Sequence, residues 1–178
     1  MVLRGAVSLA ITMVVLVFSL FLPAGRVGWI KGWIFLAVFL VSMALSTIYV
    51  WRTNPELLAA RSKFHRGTKR WDKAVFLFLE LSFNAVIWVA GFDDGRFHWS
   101  AVPLWLTCAG YFLSFVGFAT IDWAMSVNKF AEMTVRIQTD RGHKVVDTGP
   151  YAIVRHPFYV GAFLWLGGIP LSLDRIGR

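Results

Sequence analysis

The chain has 178 residues, of which 57% are hydrophobic and only 16% charged, with a mean hydropathy of +0.62; a soluble globular domain is excluded by those values. Lysine and arginine outnumber the acids 18 to 10, for a net charge of +8. Because the basic residues sit between long apolar runs, they point to anionic lipid headgroups and not to nucleic acid. The single cysteine, Cys108, excludes an intrachain disulfide, a Cys-rich zinc site and an iron–sulfur cluster.

Uncharged stretches long enough, or nearly so, to cross a hydrocarbon core of ~30 Å as helices run from Ala6 to Leu22, Gly32 to Trp51 and Trp99 to Ile121. Ala74 to Phe92 is a further run, interrupted only by Glu80, and Phe158 to Leu173 is a short one containing Gly167, Gly168 and Pro170. At 1.5 Å per residue the last reaches only ~24 Å, a partial span. Arg4 before the first run and Pro23-Ala24-Gly25 after it resemble a signal peptide. Its apolar core exceeds the ~7–15 residues usual there, which predicts a retained helix. The expected fold class is all-α, a polytopic transmembrane bundle of four spans and a partial fifth.

Twelve of the eighteen basic residues fall in two segments, 51–73 and 125–155, whereas the opposite side has only Arg26, Lys31 and Arg96, the last beside Asp93 and Asp94. This asymmetry predicts that the N-terminus and both large loops face the cytoplasm of a cell inner or plasma membrane. Six tryptophans near span ends, Trp29, Trp33, Trp51, Trp71, Trp99 and Trp123, suit the membrane interface without any ligand. Val135, Ile137 and Thr139 alternate with Arg136 and Gln138, Asp140-Arg141-Gly142-His143 supplies turn chemistry, and Lys144-Val145-Val146 resumes the run. That pattern predicts a short cytoplasmic β-hairpin. No internal repeat or linker divides the chain, so one domain is expected.

The densest constellation of polar and aromatic residues runs from Gly149-Pro150-Tyr151 to Arg155-His156-Pro157-Phe158-Tyr159-Val160-Gly161. Pro157 biases His156 away from helical geometry and suits the first position of a helix, so a helix is predicted to begin there. Its N–H groups and positive dipole end, with Arg155 and His156 in front, would hold a carboxylate or phosphate. Gly161 leaves room for a flat group, and Phe158 or Tyr159 can offer a ring face to a cation. The same residues also suit a plain polar helix start with snorkelling side chains, and the two readings stand level on physical grounds.

This run resembles the signature of the isoprenylcysteine carboxyl methyltransferase family, integral membrane enzymes related to phospholipid N-methyltransferases. Asn54-Pro55-Glu56-Leu57-Leu58 and the segment from Val135 to His143 are also similar to bacterial members, so the resemblance covers about residues 45–173. It implies S-adenosylmethionine as cofactor and a membrane lipid or prenylated acceptor entering from the bilayer, with an isoprenylcysteine-type carboxylate favoured. It assigns cofactor binding to Gly149, Tyr151, Arg155, His156, Pro157, Tyr159 and Gly161, with Arg155 and His156 as the catalytic pair and no metal. A related pattern occurs in membrane sterol and steroid reductases, which keeps an NADPH-dependent reductase as the alternative reaction. Family members continue to a helix bearing adjacent glutamates. The expectation for residues 1–178 is a single membrane methyltransferase-like domain lacking that C-terminal helix, either active or an inactive truncated homologue.

A carboxylate acceptor is already ionised at neutral pH and needs no base, whereas an amine acceptor does; His156 and His143 are the nearby histidines. Glu80 is expected to hydrogen-bond a neighbouring helix and Asp122 to meet a basic partner at the interface. Gly110, Ser114 and Gly117 are spaced for close helix packing, within the monomer or in a dimer, and the oligomeric state is left open. The basic residues of 61–73 read as a topology determinant.

Overall fold

The computed structural model describes residues 2–61, 69–132, 142 and 144–174, with side chains from Ala10 onward. Among the described residues six α-helices follow one another: α1 (Val2–Ala24), α2 (Ile30–Thr53), the short α3 (Pro55–Arg61), α4 (Arg70–Phe92), α5 (Leu104–Val127) and α6 (Pro157–Leu173). A π-helical turn, Asp93–Phe97, extends α4, and a 3-10 turn, Gly149–Ala152, precedes α6. Among the described residues there is no β-strand. The hairpin expected over 135–146 lies largely outside those residues, and 144–147 are not in a strand.

Among the described residues three helices are long and apolar enough to cross a bilayer, Ile30–Thr53, Arg70–Phe97 and Leu104–Val127. This makes the protein an integral membrane protein and corrects the expected four spans. Among the described side chains α1 contributes only the shorter apolar helix Ala10–Ala24. The 17 residues of α6 rise ~26 Å, short of the ~30 Å core. Bulky apolar side chains such as Ile11, Phe18, Phe78, Leu81, Phe112 and Phe115 point outward, as lipid-facing positions do. Trp33, Trp51, Trp71, Trp99 and Trp123 are also exposed, but Trp29 is buried and packs edge-on against Phe21, so it belongs to the core and not to an aromatic belt.

The closest helix pair is α5 with α6, running antiparallel through small residues. A Cβ on Gly117 would lie 2.6 Å from the Gly161 carbonyl oxygen, one on Gly110 would lie 2.8 Å from that of Gly168, and one on Gly168 would strike Ser114 Oγ and the Gly110 carbonyl. The small residues therefore pack within the chain, backbone against backbone, where dispersion contacts replace a hydrophobic drive that lipid does not supply. Trp165 of α6 then reaches the centre. Its ring centroid lies 5.0 Å from that of Phe83, 5.2 Å from Phe118 and 6.2 Å from Phe39, which joins α2, α4, α5 and α6 around one aromatic group.

Polar side chains fix the ends. Ser19 Oγ donates to Asn84 Oδ1 at 2.7 Å, joining α1 to α4. Glu80, expected to make such a bond, is instead exposed, one turn before the residue that makes it. At the end carrying the α1–α2 and α4–α5 connections, Arg26 and Lys31 pair with buried Asp94 at 3.1 and 3.6 Å. There Ser100 donates to Asp93, and Lys31 donates to the Asp174 carbonyl. Asp93 and Asp174 share a hydrogen bond.

Burial, then the hydrogen bond and like charge of Asp93, push the Asp174 carboxyl up to about 6 from 3.8, with Lys31 opposing. A carboxyl raised on folding keeps a proton in the folded chain that the unfolded chain releases. Its contribution is therefore fully present below about pH 4 and is lost as pH rises through about 6. Thermal unfolding in detergent is expected at a higher midpoint at about pH 4.5 than at about pH 7, with the Asp174→Asn variant removing that part of the dependence.

Candidate functional site

The other end of the bundle gathers the pieces that the sequence singled out. Asn54 ends α2 and caps α3: its Oδ1 accepts from Leu57 N–H at 3.3 Å, while its Nδ2 donates to the Met125 carbonyl of α5 at 2.8 Å. Arg61 donates to the Ala131 carbonyl at 2.7 Å, and burial lowers the pKa of its guanidinium. Val50, Leu57 and Met125 form a buried cluster joined by Leu58, Ile121, Ala131 and Phe158. Asn54-Pro55-Glu56-Leu57-Leu58 and the start of α6, a hundred residues apart in sequence, therefore share one apolar support. Asn54→Leu removes both bonds at a buried position and is expected to cost roughly 1–3 kcal/mol, readable as a lowered unfolding midpoint.

Gly149 opens the 3-10 turn at φ +59°, a conformation that favours glycine, and a Cβ there would meet Trp123 Nε1 at 3.2 Å. Pro150 is buried. Tyr151 accepts a hydrogen bond from Asn128 Nδ2 at 2.7 Å, and partial burial raises its phenol pKa. Asn128 was not singled out from sequence. It follows α5 directly and pins the turn to that helix.

Pro157 is the first residue of α6, as expected, and His156 precedes it in non-helical geometry. Two expectations change here. The first turn is closed by its own backbone, since Tyr159 and Val160 N–H both donate to the His156 carbonyl at 3.1 and 3.4 Å and Pro157 has no N–H. An anion at this point therefore depends on side chains more than on the amides. The space beside Gly161 is also taken: a Cβ would lie 2.7 Å from Ile121 Cγ1 and 2.8 Å from the Gly117 carbonyl. Gly161 and the fully buried Pro157 face α5 and the core, and Phe158 joins the cluster below.

Arg155, His156 and Tyr159 remain exposed, and the His156 and Tyr159 rings stack at 5.3 Å and 30°. Of the seven expected binding residues, these three form one accessible surface. Gly149 and Tyr151 seat the turn, and Pro157 and Gly161 pack the helix. Among the described residues no group of three or more His, Cys, Asp or Glu could hold a metal.

Between α2 and α5 lies an open groove of about 670 Å³, within the usual size of a small-molecule site. Ala37, Val38, Val41 and Leu45 line one wall and Phe115, Phe118 and Ala119 the other. At its polar end, Ser46 Oγ donates to Asp122 Oδ1 at 2.5 Å. Asp122, expected to meet a basic partner, has this serine instead among the described residues. Trp123 lines the groove, and its Nε1 lies 3.2 Å from where a Cβ on Gly149 would stand, so one indole lies close to both groove and turn. Serine spacing on α2 gave no signal that would have identified Ser46 in advance.

The described residues thus form a helical membrane bundle with the polar signature at one end and a lateral apolar groove between α2 and α5. Residues 106–175 match the model of the Isoprenylcysteine carboxyl methyltransferase (ICMT) family, and this match supports a membrane methyltransferase in general. The matched segment contains most of α5, the 3-10 turn and α6, and the match does not favour the reductase reading. No curated protein and no solved structure matches the chain.

Proposed function

We propose that this protein transfers a methyl group from S-adenosylmethionine to a lipid-like acceptor, with an isoprenylcysteine-type carboxylate favoured. The observation that carries the reading is the position of Trp123, which lines the groove and whose Nε1 lies 3.2 Å from where a Cβ on Gly149 would stand, at the start of the turn that leads to Arg155, His156 and Tyr159. The exposed guanidinium suits the donor's carboxylate, and the stacked His156–Tyr159 pair offers a flat face to adenine. The cofactor supplies a methyl on a sulfonium, open to in-line displacement.

The chain's own work is positioning. The groove holds the acceptor's hydrocarbon tail in the bilayer, and its apolar walls keep water from the reacting end. A carboxylate acceptor arrives ionised, so no general base is required. The excess of basic residues in segments 51–73 and 125–155 of the sequence supports a cytoplasmic signature.

Membranes containing this chain, incubated with methyl-labelled donor and a panel of prenylated thiols and phospholipids, test the reading. Label recovered as a base-labile methyl ester in prenylated acid supports it. Donor that binds without transferring label to any lipid, although the protein is folded, contradicts it.

A further inference from the structure

Arg155 and His156 are carried by a stretch with an anchor at each end. Residues 152–156 are all exposed, whereas Pro157 after them is fully buried and Tyr151 before them is tied to the end of α5. The first anchor is built on Asn128, which directly follows the last residue of α5. Its Oδ1 accepts from the Phe130 N–H at 2.9 Å. An N–H only donates, so this bond fixes which way the amide faces and turns Nδ2 to the Tyr151 hydroxyl, 2.7 Å away.

The turn itself is short. Tyr151 N–H donates to the Thr148 carbonyl at 3.2 Å and Val154 N–H to that of Pro150 at 3.0 Å. These bonds close the four residues Gly149–Ala152 on themselves, and the hydrogen-bond geometry of a 3-10 turn is poorer than that of an α-helix. The bond from Asn128 joins this small unit to a helix of 24 residues. One neutral hydrogen bond is enough to shift a local two-state equilibrium about fivefold.

We infer that Asn128 is a positioning residue for the donor: through Tyr151 it holds residues 149–156 in the arrangement that presents Arg155 and His156 together. The inference rests on the methyl-transfer reading, and it gives Tyr151 a part in donor affinity without contact to the donor. Released from α5, the stretch spends only a fraction of its time in the arrangement that binds, and apparent affinity falls by that fraction. The loss then belongs to association. Once bound, the donor leaves at a rate set by Arg155, His156 and Tyr159, which the variants below retain.

The test follows S-adenosylhomocysteine on the full chain in nanodiscs, by rapid mixing for association and by displacement for dissociation. Tyr151→Phe removes the acceptor oxygen and keeps the ring; it is expected to slow association about fivefold, with dissociation within about twofold of the unaltered chain. Asn128→Leu should slow association at least as much, and adding Tyr151→Phe to it should slow it no further, because the two break one bond. Asn128→Asp keeps the pin, since one carboxylate oxygen accepts from Phe130 N–H and the other from the tyrosine hydroxyl. Association should then return to within about twofold of the unaltered rate. Unfolding midpoints show whether Asn128→Leu frays α5, and in that case Tyr151→Phe and Asn128→Asp still decide. Unchanged association in Tyr151→Phe overturns the inference and leaves methyl transfer standing. Faster dissociation at unchanged association also overturns it, because the tyrosine then touches the donor. An unaltered chain that binds no S-adenosylhomocysteine ends the methyl-transfer reading and this inference with it.

Discussion

Gly117→Ala is expected to destabilise the protein more than any other single methyl addition to the α5–α6 pair except Gly168→Ala. A Cβ at 117 would lie 2.6 Å from both the Gly161 carbonyl oxygen and Trp165 N. These are backbone atoms and cannot swing aside as a side chain does, so the helices must separate. Overpacking of this kind costs about 1–3 kcal/mol, and separation also disturbs the Trp165 cluster that joins four helices. Gly167→Ala is the control, since it lies on the same helix with nothing within 4 Å of a Cβ. It should be neutral or gain up to ~1 kcal/mol of helix propensity. Unfolding midpoints in detergent decide the matter, and equal midpoints for Gly117→Ala and Gly167→Ala would remove close packing as the reason for these glycines.

The second large effect concerns the donor. Arg155→Ala and His156→Ala are each expected to weaken donor binding at least tenfold, ~1.4 kcal/mol, with little change in unfolding midpoint because both side chains are exposed. The opposite pattern is expected of Gly161→Ala, where binding falls only as far as the fold does. Equilibrium binding of S-adenosylhomocysteine, read beside the midpoints, separates the two. Undiminished binding in a folded Arg155→Ala variant would exclude the guanidinium from the donor site.

Much of the architecture was legible because bilayer crossing leaves a coarse signal: runs of apolar residues, basic connections on one side, and a proline where α6 starts. The span count was not, because length alone counted the first run as a full span, whereas its part with described side chains, Ala10–Ala24, is a shorter apolar helix. Pairing of groups across helices was harder still. Nothing in the spacing of Asn84 and Glu80 says which of them turns inward to Ser19, and Asp122 carried no mark of its serine partner on α2. Gly161 shows the limit most clearly. A glycine one turn into a signature helix reads equally as room for a ligand or room for another helix, and only the position of Gly117 and Ile121 decides for packing. The surface proposed for the donor is consequently smaller than the signature, comprising the exposed Arg155, His156 and Tyr159.

The most direct measurement is a structure of the chain with S-adenosylhomocysteine and a farnesylated acid bound in a lipid environment. The account predicts the donor's carboxylate at Arg155, its base against the His156–Tyr159 rings, and the farnesyl chain between α2 and α5 past Trp123. A donor seated away from residues 155–159, or a farnesyl chain outside the α2–α5 groove, would contradict it.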